Sequence, residues 1–102
     1  MQLTEEQIQA IWEKARATLE HEPDIWRKDA CGAWIHRDHY GARASEFGWH
    51  AVPEHPDEPS PDKLYPMHIK NAFDPFNHKP ICHITAEEDP RERGGEPKNR
   101  PA

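Results

Sequence analysis

The chain has 102 residues, of which 34% are hydrophobic, so it has room for one small domain with a limited core. Its formal net charge is −6, and residues 1–23, 24–84 and 85–102 are each net acidic, which argues against tight binding of phosphates. No apolar run reaches the roughly 18 residues of a membrane span, and the N-terminus lacks a signal-peptide pattern. The sequence therefore predicts a soluble, cytoplasmic protein.

Residues 1–22 have the pattern of an amphipathic helix. Thr4 and Gln7 have the spacing of a capping box, in which each side chain bonds the backbone of the other residue. Apolar residues then recur on one helical face, at Ile8, Ile11, Trp12, Ala15 and Leu19. We expect the helix to pack on its own domain and to end at Pro23, since proline interrupts a helix.

Residues 23–85 show short apolar segments separated by turn residues. Segments 33–36, 49–52 and 81–85 have the composition of strands, and residues 53–61 form a proline-rich acidic loop. Pro66 is placed to begin a short helix that ends before Pro75. The predicted fold class is α+β, with an N-terminal helix, a short antiparallel β-hairpin and one small helix.

Residues 86–102 contain no large apolar side chain. Because no apolar surface is available to offset the entropy of ordering them, we predict that they form a disordered tail.

Three blocks of residues between positions 26 and 71 resemble one known pattern. The matching residues are Asp29, Gly32, Ala33, Ile35, Arg37, Tyr40 and Gly41 in the first block, Ser45, Gly48 and Trp49 in the second, and Leu64, Pro66, Met67, His68 and Asn71 in the third. With this spacing the chain resembles small bacterial HNH, or ββα-metal, nucleases. The resemblance implies that residues 23–85 form a β-hairpin and a helix that clasp one divalent metal ion, Mg or Zn.

The chain departs from that family at the positions that carry its chemistry. The family's metal-binding Asp and its general-base His correspond to Val52 and Pro53, and the Asn that orients the base corresponds to Lys63. Only His68 matches a metal-ligand position. Since valine binds no cation and proline exchanges no proton, we expect a non-catalytic HNH-like domain that acts as an interaction or regulatory module.

One alternative is that the chain retains nuclease activity. Glu54 and His55 form an acid–histidine pair two residues downstream of the family positions. An even shift along a strand keeps side chains on the same face, so this pair could replace the missing one. The chain would then be a metal-dependent endonuclease, with His55 and His68 near the metal.

A second alternative is a small structural protein stabilised by zinc. Cys31, Cys82 and His83, with one or two further histidines, supply ligands that zinc prefers. Disulfide-rich miniature domains usually have four or more cysteines, so we expect the two thiols to be reduced, either buried or bound to metal. The favoured partner is an unidentified protein, and nucleic acid is disfavoured by the net charge.

Overall fold

The computed structural model describes residues 2–53, 60–74, 76–87 and 96–102. Over these ranges the chain forms one α-helix and eight short strands, and the strands pair into four antiparallel hairpins. The prediction of a single hairpin followed by a small helix is therefore wrong. No helix within the described ranges is long and apolar enough to cross a membrane.

The helix α1 spans Glu5–Trp12 and begins at the predicted capping box. Thr4 Oγ1 accepts the Gln7 N–H at 3.1 Å, and the Gln7 side chain accepts the Thr4 N–H at 2.9 Å. The helix stops well before Pro23, because residue 16 pairs its backbone with residue 28 of the first strand. Leu19, predicted to continue the apolar stripe, is fully exposed as a result.

Strands β1 (Trp26–Lys28) and β2 (Trp34–His36) form the first hairpin. The turn between them contains Gly32, whose φ of +79° favours glycine. The guanidinium of Arg27 donates to the carbonyl oxygens of Glu13, Ala15 and Pro23 at 2.9–3.1 Å. This hairpin therefore holds the chain that leaves α1.

Strands β3 (Trp49–Pro53) and β4 (Leu64–His68) form the second hairpin. The helix predicted to begin at Pro66 is thus a strand. Residue 69 donates to the carbonyl of residue 48, and the alternation of ladder bonds turns the nitrogen of Pro66 away from β3. The missing N–H costs no ladder bond, so proline is accommodated in this strand.

Two further hairpins complete the chain. Strand β5 (Ala72–Asp74) pairs with β6 (Lys79–Ile81), and β7 (Ile84–Ala86) pairs with β8 (Asn99–Pro101). The Asn99 side chain bonds both backbone groups of Trp34, at 2.7 and 2.9 Å. The predicted disordered tail is therefore wrong for residue 86, which lies in β7, and for residues 96–102, because an amide side chain and a strand ladder hold β8 without any large apolar residue. Residues 88–95 of that predicted tail lie outside the described residues.

The hydrophobic core lies between α1, β2, β3 and β4. Trp12 and Trp49 are fully buried, with ring centroids 5.4 Å apart, and the cluster also contains Ile8, Ile11, Ala15, Ile35 and Leu64. The helix α1 thus packs on the strands through Ile8, Ile11 and Trp12. A core this aromatic allows a short, proline-rich chain to bury a large area with few side chains.

A buried polar centre joins three of the hairpins. Asp29, which is 5% exposed, accepts four N–H groups: those of Cys31 and Ala33, the backbone N–H of His68 and the Asn71 side-chain amide. Asn71, which is 1% exposed, accepts the N–H groups of residues 83 and 84 and donates to the carbonyl of residue 84. The two side chains satisfy each other and fix the turns around them.

A disulfide joins Cys31 to Cys82 across 51 residues. It connects the turn of the first hairpin to Cys82, which lies two residues before β7. The expectation of reduced thiols is therefore wrong, because the fold places the two Cα atoms 5.5 Å apart, a normal spacing for a disulfide.

We expect Asn71→Ala to lower the free energy of unfolding by about 3 kcal/mol or more, because several buried partners lose their hydrogen bonds together. Asn77→Ala is the matched control, since that exposed amide bonds only Asp74 among the described residues and its loss should cost less than about 1 kcal/mol. Urea unfolding measures both, and equal losses would contradict a central role for Asn71.

We also expect reduction of the disulfide to lower the free energy of unfolding by about 4 kcal/mol, as the chain-entropy model gives for a loop of this length. The measurement is urea unfolding with and without a thiol reductant. A Cys31→Ser/Cys82→Ser variant should match the reduced protein and show no response to reductant. Identical midpoints for oxidised and reduced wild type would contradict the expectation.

Candidate functional site

His68, the residue at the resembled metal-ligand position, lies at the end of β4 and is 2% exposed. Its Nδ1 accepts the backbone N–H of Lys70 at 3.1 Å, which places the ring proton on Nε2. Nε2 then donates to the carbonyl oxygen of Glu46 at 2.8 Å. Both ring nitrogens are occupied by the backbone, so the ring joins two loops and offers no lone pair to a metal ion.

The other described positions of the resembled site also lack side chains that would bind a metal ion. Val52 and Pro53 lie in β3, opposite Tyr65 and Leu64, and Lys63 lies in a short 3₁₀ turn. The alternative pair, Glu54 and His55, lies outside the described residues. Among the residues that the structure describes, no three His, Cys, Asp or Glu side chains are grouped to hold a metal ion. These residues do not fit the metal that the resemblance implies.

The proposed zinc ligands Cys31, Cys82 and His83 are not arranged as a zinc site. The two sulfurs are joined to each other, and a sulfur in a disulfide has no thiolate to offer a metal. His83 follows the disulfide, and its backbone N–H donates to the Asn71 side chain. The cross-link that zinc would supply is therefore made by the disulfide.

Asp29 and Asn71 have the greatest structural role among the residues of the resemblance, although no chemistry is predicted for them from the sequence. Each side chain is buried and is hydrogen-bonded to other groups of the protein. The feature of the sequence that could have indicated this role is a short polar side chain within an otherwise apolar, turn-rich segment. Their partners could not be inferred, because they lie 39 and 42 residues along the chain from Asp29.

A second polar cluster contains His36, His39 and Ser45. The two imidazole rings stack with centroids 4.3 Å apart, and His39 Nδ1 is hydrogen-bonded to Ser45 Oγ. A histidine beside a serine has the composition of a nucleophile and its base. Here Ser45 Oγ also accepts the N–H of Phe47 at 3.0 Å, the local bond of a serine turn, so the pair fastens the loop before β3.

Burial lowers the pKa of His36 below its ordinary value of 6.5. The neighbouring His39 lowers this pKa further, and Asp38 raises it in part. The fold therefore disfavours the imidazolium form of His36.

A groove of about 600 Å³ lies beside this loop, where β8 meets the turn that follows β4. It is lined by four basic and two acidic side chains, with Ser45, His68, Asn99 and several apolar groups at its floor and edges. The basic residues come from three separate parts of the chain: Arg43, Lys70, and the pair Lys98 and Arg100. Segment-by-segment counting of charge could not detect this surface.

The groove rests on well-bonded side chains. Asn99 bonds Trp34 and also donates to the carbonyl oxygen of Glu46 at 3.1 Å, the same oxygen that accepts from His68. The two walls of the groove are therefore joined at one atom.

No protein-family model, curated protein or solved structure matches this chain. The resemblance to HNH nucleases thus stays a prediction that rests on the residues quoted above.

The pKa of His36 predicts a pH dependence of stability. Because its pKa is lowered in the folded state, the unfolded chain binds the proton more readily, and stability falls as the pH drops below about 6.5. Melting temperatures at pH 7.5 and 5.5 should differ more in the wild type than in His36→Gln. His83→Gln is the control, since that side chain is exposed and lies outside the His36 cluster. An unchanged pH slope in His36→Gln would contradict the expectation.

Proposed function

We propose that this chain is a non-catalytic interaction module built on an HNH-like arrangement of residues. The observation that supports it is the state of His68, which is buried and whose two ring nitrogens are both bonded to backbone groups. A metal-ligand histidine instead keeps one nitrogen for the metal and bonds only the other. The position that would hold the metal thus serves to join two loops.

The remaining residues of the resemblance support the same proposal. Asp29 and Asn71 form the polar centre, Ile35 and Trp49 are buried in the core, and Gly32 forms a turn. A Cβ added to Gly48 would lie 2.0 Å from the carbonyl oxygen of Ala42, so only glycine fits there. Among the described residues, those that the chain shares with the family pattern build turns, core and internal hydrogen bonds, which supports a role as a scaffold for an interaction surface.

The partner proposed for this module is another protein. The favoured location is the cytoplasm, although a disulfide in so small a domain is more typical of oxidising compartments. The location is therefore a prediction that cell fractionation would test directly.

We expect no metal-dependent cleavage of plasmid or single-stranded DNA when the oxidised protein is incubated with Mg²⁺, Mn²⁺, Ni²⁺ or Zn²⁺. A metal-activated water and a positioned base each lower a hydrolytic barrier by several kcal/mol, so a site without them should not turn over measurably. Glu54→Gln and His55→Ala test the alternative pair, with His78→Asn as the histidine control.

Cleavage that disappears in Glu54→Gln and His55→Ala but persists in His78→Asn would overturn the non-catalytic proposal. It would identify Glu54 and His55 as the active pair. Cleavage that all three variants retain equally would indicate a contaminating nuclease, and a catalytically inactive preparation obtained by further purification would then support the proposal.

A further inference from the structure

The groove beside β8 has a charge opposite to that of the whole chain. Its four basic side chains, Arg43, Lys70, Lys98 and Arg100, face two acidic ones, Glu46 and Glu87, within a protein of net charge −6. The basic residues lie up to 57 positions apart in sequence but meet at one surface. The fold therefore concentrates positive charge in a place where the composition gives no reason to expect it.

These four cations have no ion pair within the described part of the chain, where Arg37 pairs with Glu5 elsewhere. Like charges gathered along one groove repel each other, and that repulsion costs free energy in the unbound protein. An anion in the groove would relieve it. The two arginines add planar guanidinium groups, which bind carboxylates through two parallel hydrogen bonds.

The groove is also partly apolar, which narrows the chemistry of its ligand. Ala44, Ile84 and Pro101 line it together with the charged side chains. Its volume of about 600 Å³ lies within the range of sites that hold a small ligand or a few side chains. A ligand with both carboxylates and aliphatic groups would use both parts of this surface.

We infer that the groove binds a short acidic segment of a partner protein, in which carboxylate side chains alternate with aliphatic ones. This inference rests on the proposed function as an interaction module and names the partner's chemistry. Carboxylates would pair with the arginines and lysines, and aliphatic groups would contact Ile84 and Pro101. The bonded floor formed by Asn99 and His68 presents the groove already shaped for binding, which lowers the entropic cost of association.

A nucleic acid fits this groove less well. Its phosphates repeat every few ångströms along a strand, so some of them would have to lie against Glu46 or Glu87. The net charge of −6 also repels a long polyanion before contact, whereas a short peptide carries few charges. The acidic groups of the groove can instead contact N–H groups of a peptide backbone.

The test uses the oxidised full chain, labelled with ¹⁵N, and two blocked synthetic peptides. One peptide alternates glutamate with leucine and alanine, and the other has glutamine in place of every glutamate. A short single-stranded oligonucleotide is the third probe. Lys70→Glu and Arg100→Glu alter the groove from two distant segments, and Lys79→Glu makes the same exposed lysine-to-glutamate change outside it.

We expect the glutamate peptide to shift the amide resonances of Ser45, Ile84 and Asn99, and the glutamine peptide to shift them little. Each groove variant should weaken binding about tenfold, since reversing a charge removes one attraction and adds a repulsion, together about 1.4 kcal/mol. Lys79→Glu should leave the affinity within about twofold, and added salt should weaken wild-type binding.

Three results would overturn the inference: no binding of the glutamate peptide, equal weakening by Lys79→Glu, or tighter binding of the oligonucleotide in the groove. The first two would leave the non-catalytic proposal standing, because the cleavage assay tests that separately. Metal-dependent cleavage with intact peptide binding would overturn the proposed function and leave the groove assignment in place.

Discussion

The arrangement of this small protein depends on one buried pair, Asp29 and Asn71. The carboxylate receives four N–H groups, and the amide connects it to the segment that leads into β7. A buried carboxylate is costly unless its oxygens are bonded, and a buried amide is costly unless both its ends are. Because each side chain supplies part of what the other needs, three hairpins must be in place together.

This dependence suits a chain that has little hydrophobic material. The apolar cluster covers α1 and the first two hairpins, while the last two hairpins contribute mainly exposed or half-buried residues. Hydrogen bonds from Asn71 and Asn99, together with the disulfide, attach β7 and β8 to the rest. Hydrogen bonds and the disulfide thus stabilise this end of the molecule, as a larger hydrophobic core would in a longer chain.

The sequence predicted the local features and missed the long-range ones. Patterns within a few residues predict the capping box at Thr4, the burial of Trp12 and the strand that ends at His36. The structure contains all three. The end of α1, the strand at Pro66 and the order of residues 96–102 depend on backbone partners far along the chain, so local propensity gave the wrong result.

The same difference between local and long-range features applies to the candidate site. His68 was singled out by its position in a pattern, but its role depends on the backbone groups of Glu46 and Lys70, which only the fold brings to its ring. The pairing of Cys31 with Cys82 and the gathering of basic residues beside β8 are likewise products of the fold. The composition shows how many cysteines and basic residues the chain has, but only the fold determines which of them lie close together.

The disulfide and the groove both adjoin the hairpin of β7 and β8, so a change in one would affect the other if it moved this hairpin. Cys82 is exposed and lies two residues before β7, whose partner β8 forms one wall of the groove. Any ligand that prefers the assembled wall to a loosened one must, by thermodynamic reciprocity, make the sulfur–sulfur bond harder to reduce. Conversely, if reduction loosened that wall, the redox potential of the surroundings would change the affinity of the groove for such a ligand.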